Sequence, residues 1–79
     1  MTLPPDPDRM NDARAQWAGE ALNHFRDTTG SGPEYALGDL LCDLRHWCDR
    51  NGANFETINE ESKQMYLCEI GDPSSIFSP

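Results

Sequence analysis

Residues 37–49 read LGDLLCDLRHWCD, and this stretch decides the fold of the chain. At 100° per residue its apolar side chains fall within about 100° of arc, which is typical of an amphipathic helix. These side chains are Leu37, Leu40, Leu41, Leu44 and Cys48. A polar stripe about 60° wide lies on the opposite side, with Trp47 at its border, and comprises Asp39, Asp43, His46 and Arg50. The pattern predicts a helix with one face for a core and another that offers carboxylates and an imidazole to a partner.

Sequence signals mark both ends of this helix. Ser31-Gly32-Pro33-Glu34 matches the S-x-x-E capping box, with proline in the first turn where its missing N–H costs little. Asn51-Gly52 supplies the left-handed residue that commonly ends a helix. We therefore expect about five turns between the two signals.

A second helical stripe precedes this segment, from Arg9 to Arg26. Its apolar residues recur at steps of three and four and are Met10, Ala13, Trp17, Ala21 and Phe25. Asp8 is the expected cap of this helix, and Asp12 suits the positive end of its dipole. The residues 28–33 then break the helix. Within the stripe, Trp17 is expected to be part of the core.

A third element follows residue 52. It begins at Phe55 with Asn54 as its cap, or slightly later at the capping box Thr57-x-x-Glu60. One side carries Phe55, Ile58, Met65 and Tyr66. The residues 65–68 are apolar enough for a strand, but a lone strand would have no partner, so we expect a helix that ends at residues 71–73.

These patterns predict an all-α fold, a small three-helix domain. A flexible, proline-rich arm is expected at residues 1–8, a single helical domain at 9–72 and a flexible tail at 73–79. The chain shows no internal repeat and no linker long enough to separate two domains.

The composition restricts the classes of partner. Fourteen acidic residues against six basic ones give a net charge of −8 in 79 residues. Phosphates would repel such a chain, so we expect no direct binding of nucleic acid or of an anionic membrane. The acidity fits a basic protein surface as partner, or mimicry of nucleic acid; it also fits a charge that only keeps the protein soluble.

The cysteines and the N-terminus favour a cytoplasmic protein. Cys42, Cys48 and Cys68 are an odd number without a C-x-x-C pair, which indicates free thiols in a reducing compartment. The first residues contain neither a basic region nor an apolar run, and nothing approaches the length of a transmembrane helix. Cys48 is expected in the core and Cys42 at a half-exposed position.

Metal binding and catalysis are disfavoured. Asp39, Asp43 and His46, with Cys42 on their flank, share one side of the helix, but a metal site would need a further convergent ligand and outer support. His46 and Asp43 resemble a base and its orienting group, yet no nucleophile or oxyanion loop accompanies them. We expect no cofactor, no metal and no enzymatic activity.

The carboxylates are the candidate partner-binding residues. Asp39/Asp43 and Glu56/Glu60 are like-charged pairs four residues apart, a spacing that destabilises a helix slightly. Four residues rise about 6 Å, near the separation of successive phosphates along a nucleic-acid strand. Asp49 and Glu61 extend the set, while Arg45, Arg50 and Lys63 interrupt it. An ordinary solvated face is the alternative interpretation.

Aromatic residues border the same surface. Trp47 either closes the core with an exposed edge, which we favour, or serves as an aromatic contact beside charge in an interface. Tyr35 begins the polar face and is expected at the rim of the contact, and His46 lies between them.

The run from Leu37 to Phe55 resembles a pattern found in short acidic proteobacterial proteins, approximately L-x-D-L-L-x-D-L-x-H-W-C-D-x-x-G-x-x-F. Such proteins often belong to phages, plasmids and integrated elements, and the pattern implies no assigned activity. In size and acidity the chain is also similar to phage anti-CRISPR proteins. Several of those inhibit type I surveillance complexes by occupying the basic surface that binds DNA.

Together these features favour a phage-encoded anti-CRISPR inhibitor. It would bind a Cas subunit of a type I complex in a fixed ratio and block target DNA through its acidic surface, without catalysis. The alternative is a small adaptor or regulatory protein of a mobile element, which docks or dimerises through helix–helix contact. The chain itself is expected to be a monomer or a weak homodimer.

Overall fold

A computed structural model describes residues 2–71, which form three α-helices. They are α1 (Asn11–Thr29), α2 (Ala36–Asn51) and α3 (Phe55–Glu69). No strand occurs among these residues, so the all-α prediction is confirmed, including the helical state of residues 65–69. None of the three helices combines the length and the apolar character that a membrane span requires. The predicted tail at 73–79 lies outside the described residues.

Helix α1 begins and ends later than the sequence predicts. Met10 occupies the N-cap position without a side-chain hydrogen bond. Asp8, the predicted cap, instead accepts a hydrogen bond from the Met10 N–H and two from the Arg14 guanidinium. At the other end Gly30 is left-handed, with φ 75°, and its N–H donates to the Arg26 carbonyl. The helix therefore continues through both threonines before the glycine ends it.

The predicted capping box before α2 is wrong. Ser31 does not cap the helix; its hydroxyl donates to the Asp39 carboxylate. Backbone groups close the turn instead, because the N–H groups of Tyr35 and Ala36 both donate to the Gly32 carbonyl. Tyr35 thereby becomes the N-cap residue. The predicted stop at Gly52 is confirmed by its φ of 70°.

Helix α3 begins as the first of the two sequence alternatives predicts. The Asn54 side chain accepts a hydrogen bond from the Thr57 N–H at 3.0 Å, so Asn54 caps the helix and the later start at Thr57 is wrong. The helix ends at Glu69, just before left-handed Gly71. Its last turn carries no basic residue.

The start of α1 and the end of α3 lie next to each other. The Asn11 side-chain amide donates to the Glu69 carbonyl at 3.0 Å, and Arg14 lies 3.0 Å from the Glu69 carboxylate. Asp8 from the N-terminal arm pairs with the same arginine. The second half of the predicted flexible arm is thus hydrogen-bonded to α1, since Asp6 also accepts from the Asn11 N–H.

Very little of the described chain is buried. Ala36 and Cys48 are the buried residues, both in α2, while α1 and α3 bury none. The expected place of Cys48 in the core is confirmed. The expectation for Trp17 is wrong, because its side chain is 58% exposed. The half-buried large apolar residues of α1 are Leu22 and Phe25, and Leu22 lies about 140° round the helix from Trp17.

Candidate functional site

Two carboxylates of α2, Asp39 and Asp43, lie on one side of the helix near the end of α1. They line a depression of about 320 Å³ together with Phe25, Thr29 and Cys42. Both aspartates are exposed. The Asp39 carboxylate accepts a hydrogen bond from the Ser31 hydroxyl, whereas Asp43 has no hydrogen bond or ion pair within residues 2–71. Asp43 is therefore the freer of the two charges.

Asp49 does not join this pair. It lies almost three turns beyond Asp39 at an exposed position, and at 100° per residue it is about 120° round α2 from Asp43. A flat partner that contacts Asp39 and Asp43 leaves Asp49 on an adjacent side. The predicted set of three α2 carboxylates thus reduces to a pair.

The α3 carboxylates are differently placed and partly neutralised. Glu56 forms an ion pair with Arg45, whose guanidinium also lies over the Phe55 ring, 4.3 Å from its centroid. Glu60 accepts a hydrogen bond of 3.4 Å from the Gln64 amide, and Glu61 has no polar partner within residues 2–71. Because Arg45 cancels Glu56, the pair Glu56/Glu60 does not present two free charges at the spacing of successive phosphates.

Aromatic side chains lie beside the α2 carboxylates and are exposed. The favoured interpretation of Trp47 as a mostly buried ring is wrong, since 57% of the residue is accessible. Trp47 follows Asp43 by one turn, so the ring borders that charge. Tyr35 precedes Asp39 by one turn and is 65% exposed. His46 is exposed between them.

The polar stripe of α2 is the set that the structure brings together. Besides Arg50, it comprises the predicted contact residues Asp39, Asp43 and His46, with Tyr35 at its start and Trp47 along its edge. One continuous helix fixes their spacing, because residues three and four apart are neighbours on a helix surface. The stripe can contact a partner along three turns of α2. Of the nine predicted contact residues, these five share one side of one helix.

The metal-ligating residue types do not converge. Among residues 2–71, no three His, Cys, Asp or Glu side chains lie close enough to hold an ion. Cys42 is exposed and Cys48 is buried. That the protein is not an enzyme and uses no cofactor stays a prediction.

One polar cluster was missed at the sequence level. Arg14 joins Asp8, Asn11 and Glu69. The pKa of the Asp8 carboxyl is lowered from 3.8 to about 2, first by the hydrogen bonds from the Arg14 guanidinium and then by that from the Met10 N–H. A neighbouring cavity of about 430 Å³ is lined in part by Leu3 and Tyr66. No sequence spacing reveals this cluster, because Glu69 is remote from Arg14 along the chain. Its groups satisfy one another and tie the arm to α1 and α3.

Compared with known proteins, the chain has no significant match among family models, curated proteins or solved structures. The interpretation of the site therefore depends on the chemistry of its own residues.

Proposed function

We propose that this protein is a non-catalytic inhibitor that binds a basic protein surface through the polar stripe of α2. The observation that carries the proposal is the free, exposed carboxylate of Asp43 beside the exposed rings at the ends of the stripe. An aromatic side chain next to charge is the composition that interfaces favour. The net charge of −8 adds long-range attraction to a lysine- and arginine-rich partner.

The partner we propose is a Cas subunit of a type I surveillance complex, whose DNA-binding surface must be basic. The support is chemical: a small acidic chain fits a channel that normally holds phosphates. Glu60, Glu61 and Asp49 extend the acidic surface around the molecule and would act at longer range than the stripe. Because Glu56 is paired with Arg45, we give it no part in the contact.

Charge reversal at the stripe tests this function. We expect Asp43→Lys to weaken binding to a purified type I complex at least tenfold, about 1.4 kcal/mol, because it replaces an attraction by a repulsion. Asp27→Lys is the matched control, since Asp27 is exposed on α1 and outside the stripe. Binding of the wild-type chain should weaken steeply as salt rises, because exposed charges are screened over about 8 Å at physiological ionic strength. No binding, or equal loss in both variants, contradicts the proposal.

A second candidate function is that of a small adaptor that acts through helix–helix contact. Exposed Leu44 and Trp47 favour it, because an apolar helix side left open is the usual docking surface for another helix. For such an adaptor, Trp47→Ala should abolish partner binding, whereas the double change Asp39→Lys and Asp43→Lys should have little effect. The opposite pattern in a binding titration would exclude the adaptor.

A further inference from the structure

Two side-chain contacts within residues 2–71 mark two sides of helix α2. On one side Asp39 accepts the hydrogen bond from Ser31, and on the other Arg45 lies over Phe55. These two contacts are about 120° apart around the helix at 100° per residue. The third side is centred about 120° from each of them, and the buried residues Ala36 and Cys48 lie at its two borders. Between these borders lie four large apolar residues, which we call the open seam: Leu37, Leu40, Leu44 and Trp47.

The open seam has the spacing of a helix–helix contact. Its four residues follow one another at steps of three, four and three, the pattern by which two helices interlock their side chains. Within the single chain Leu37 is 60% exposed, Leu44 40% and Trp47 57%, while Leu40 is half-buried. Leucines at this spacing normally pack against a neighbouring helix, and here they are accessible to water.

Residues 2–71 contain few buried side chains. Two of these residues are buried, and both are small. A domain of this size is marginal even when it buries about 60% of its unfolded surface. Association that covers the open seam would therefore add apolar burial and stability to the fold. A second copy of the same chain is present at every concentration of the protein and can supply that burial.

The area of the seam suits a dimer. A standard interface takes about 800 Å² from each partner, of which roughly 60–65% is apolar, or about 500 Å². Each large seam side chain, with neighbouring Leu41, leaves on the order of 100 Å² accessible. The α2 side chains alone thus offer on the order of 400–500 Å².

The charge distribution also fits a second copy. The seam contains no charged residue, although the chain as a whole has a net charge of −8. Two identical seams therefore meet without opposing carboxylates at the centre, while Asp43 lies at the rim. A two-fold contact of one patch with itself is the commonest way in which chains associate.

We propose that a second copy of this chain covers the open seam, with α2 packed on α2 across a two-fold axis. The inference does not rest on the acidic-surface function, but the two proposals share the exposed Trp47 ring, which the dimer would bury. In the dimer, Trp47 is withdrawn from the polar stripe, and Tyr35 and the two aspartates remain at its flank. Each dimer presents that flank twice.

The molar mass of the full chain tests this dimer. Sedimentation equilibrium between about 1 and 100 µM, the range that resolves a micromolar Kd, should give a mass approaching twice 8.9 kDa. A mass of 8.9 kDa throughout overturns the proposal.

A matched pair of variants locates the contact. Leu44→Asp places a charge in the centre of the seam and should shift the chain to the monomer, with at least a hundredfold weaker association. Leu3→Asp makes the same change at a leucine that is exposed outside the seam, and this variant should remain a dimer. Equal behaviour of the two variants contradicts a contact through the seam.

Tryptophan fluorescence of a chain that keeps Leu44 tests the same contact and does not depend on whether Leu44→Asp folds. The chain has two tryptophans, so Trp17→Phe leaves Trp47 as the single reporter. On dilution its emission should shift to the red and acrylamide quenching should rise as the seam opens. Quenching that is equally strong at all concentrations overturns the proposal.

Salt distinguishes this dimer from the acidic-surface function. Screening removes repulsion between two chains of the same charge, so the dimer should tighten as ionic strength rises. Binding of a basic partner should weaken under the same change. A dimer with the expected salt response and no basic partner would refute the proposed function and leave the seam contact intact.

Discussion

At the scale of single residues, two of the six basic residues form ion pairs that join elements of the fold. Arg14 joins the arm, α1 and the end of α3, and Arg45 joins α2 to the start of α3. Their carboxylate partners are neutralised, whereas Asp43 and Glu61 keep free charges within the described chain. Within residues 2–71, the carboxylates that pair with an arginine are therefore distinct from those that keep a free charge. The sequence predicts the surplus of acidic residues but not which of them form ion pairs, because the contacts of Arg14 depend on the tertiary fold.

The Asp8–Arg14 pair should be visible in a pH titration. The pKa of Asp8 is lowered from 3.8 to about 2, so the pair stabilises the fold fully above about pH 4 and less as pH falls towards 2. Carboxyl NMR should report a pKa of about 2 for Asp8, and Arg14→Gln should raise it towards 3.8, while the hydrogen bond from the Met10 N–H still holds it lower. Arg50→Gln, a change at an exposed arginine of α2, should leave it at about 2. An Asp8 that titrates near 3.8 in the wild-type chain contradicts the pair.

At the scale of elements, glycine and asparagine set the helix ends. Gly52 and Asn54 were predicted correctly, because a left-handed residue and a side-chain cap act through their immediate neighbours. The start of α2 was predicted wrongly, because the first N–H groups of this segment donate to the Gly32 carbonyl and not to the Ser31 side chain. The Ser31 hydroxyl donates to Asp39 instead. Local signals are reliable where no competing partner lies nearby.

Two glycine substitutions should change stability in opposite directions. Gly52→Ala should destabilise by about 1 kcal/mol, because a side chain at φ 70° is strained. Gly19→Ala should stabilise by about 0.5–1 kcal/mol, since Gly19 lies within α1 and an added Cβ meets nothing within 4 Å. Urea unfolding at one fixed protein concentration measures both changes. The same sign for both variants would contradict these helix assignments.

At the scale of the whole molecule, residues 2–71 form amphipathic helices but contain only two buried residues. The leucine pattern of α2 correctly predicts a helix. Such a pattern indicates that one side of the helix is apolar, but it does not identify the residues or the partner that cover this side. Trp17 and Trp47 were assigned to the interior for this reason, and both are exposed in the single chain. Pairing through the open seam accounts for Trp47 and leaves the polar stripe available to a basic partner.

The midpoint of thermal unfolding as a function of protein concentration tests this pairing most directly. Folding coupled to association gains stability with the logarithm of concentration, about 2.7 kcal/mol for a hundredfold increase. We expect the midpoint to rise by about 5–10 °C between about 1 and 100 µM, and to stay constant for folded Leu44→Asp. A wild-type midpoint that does not change over this range would contradict a fold completed by its own second copy.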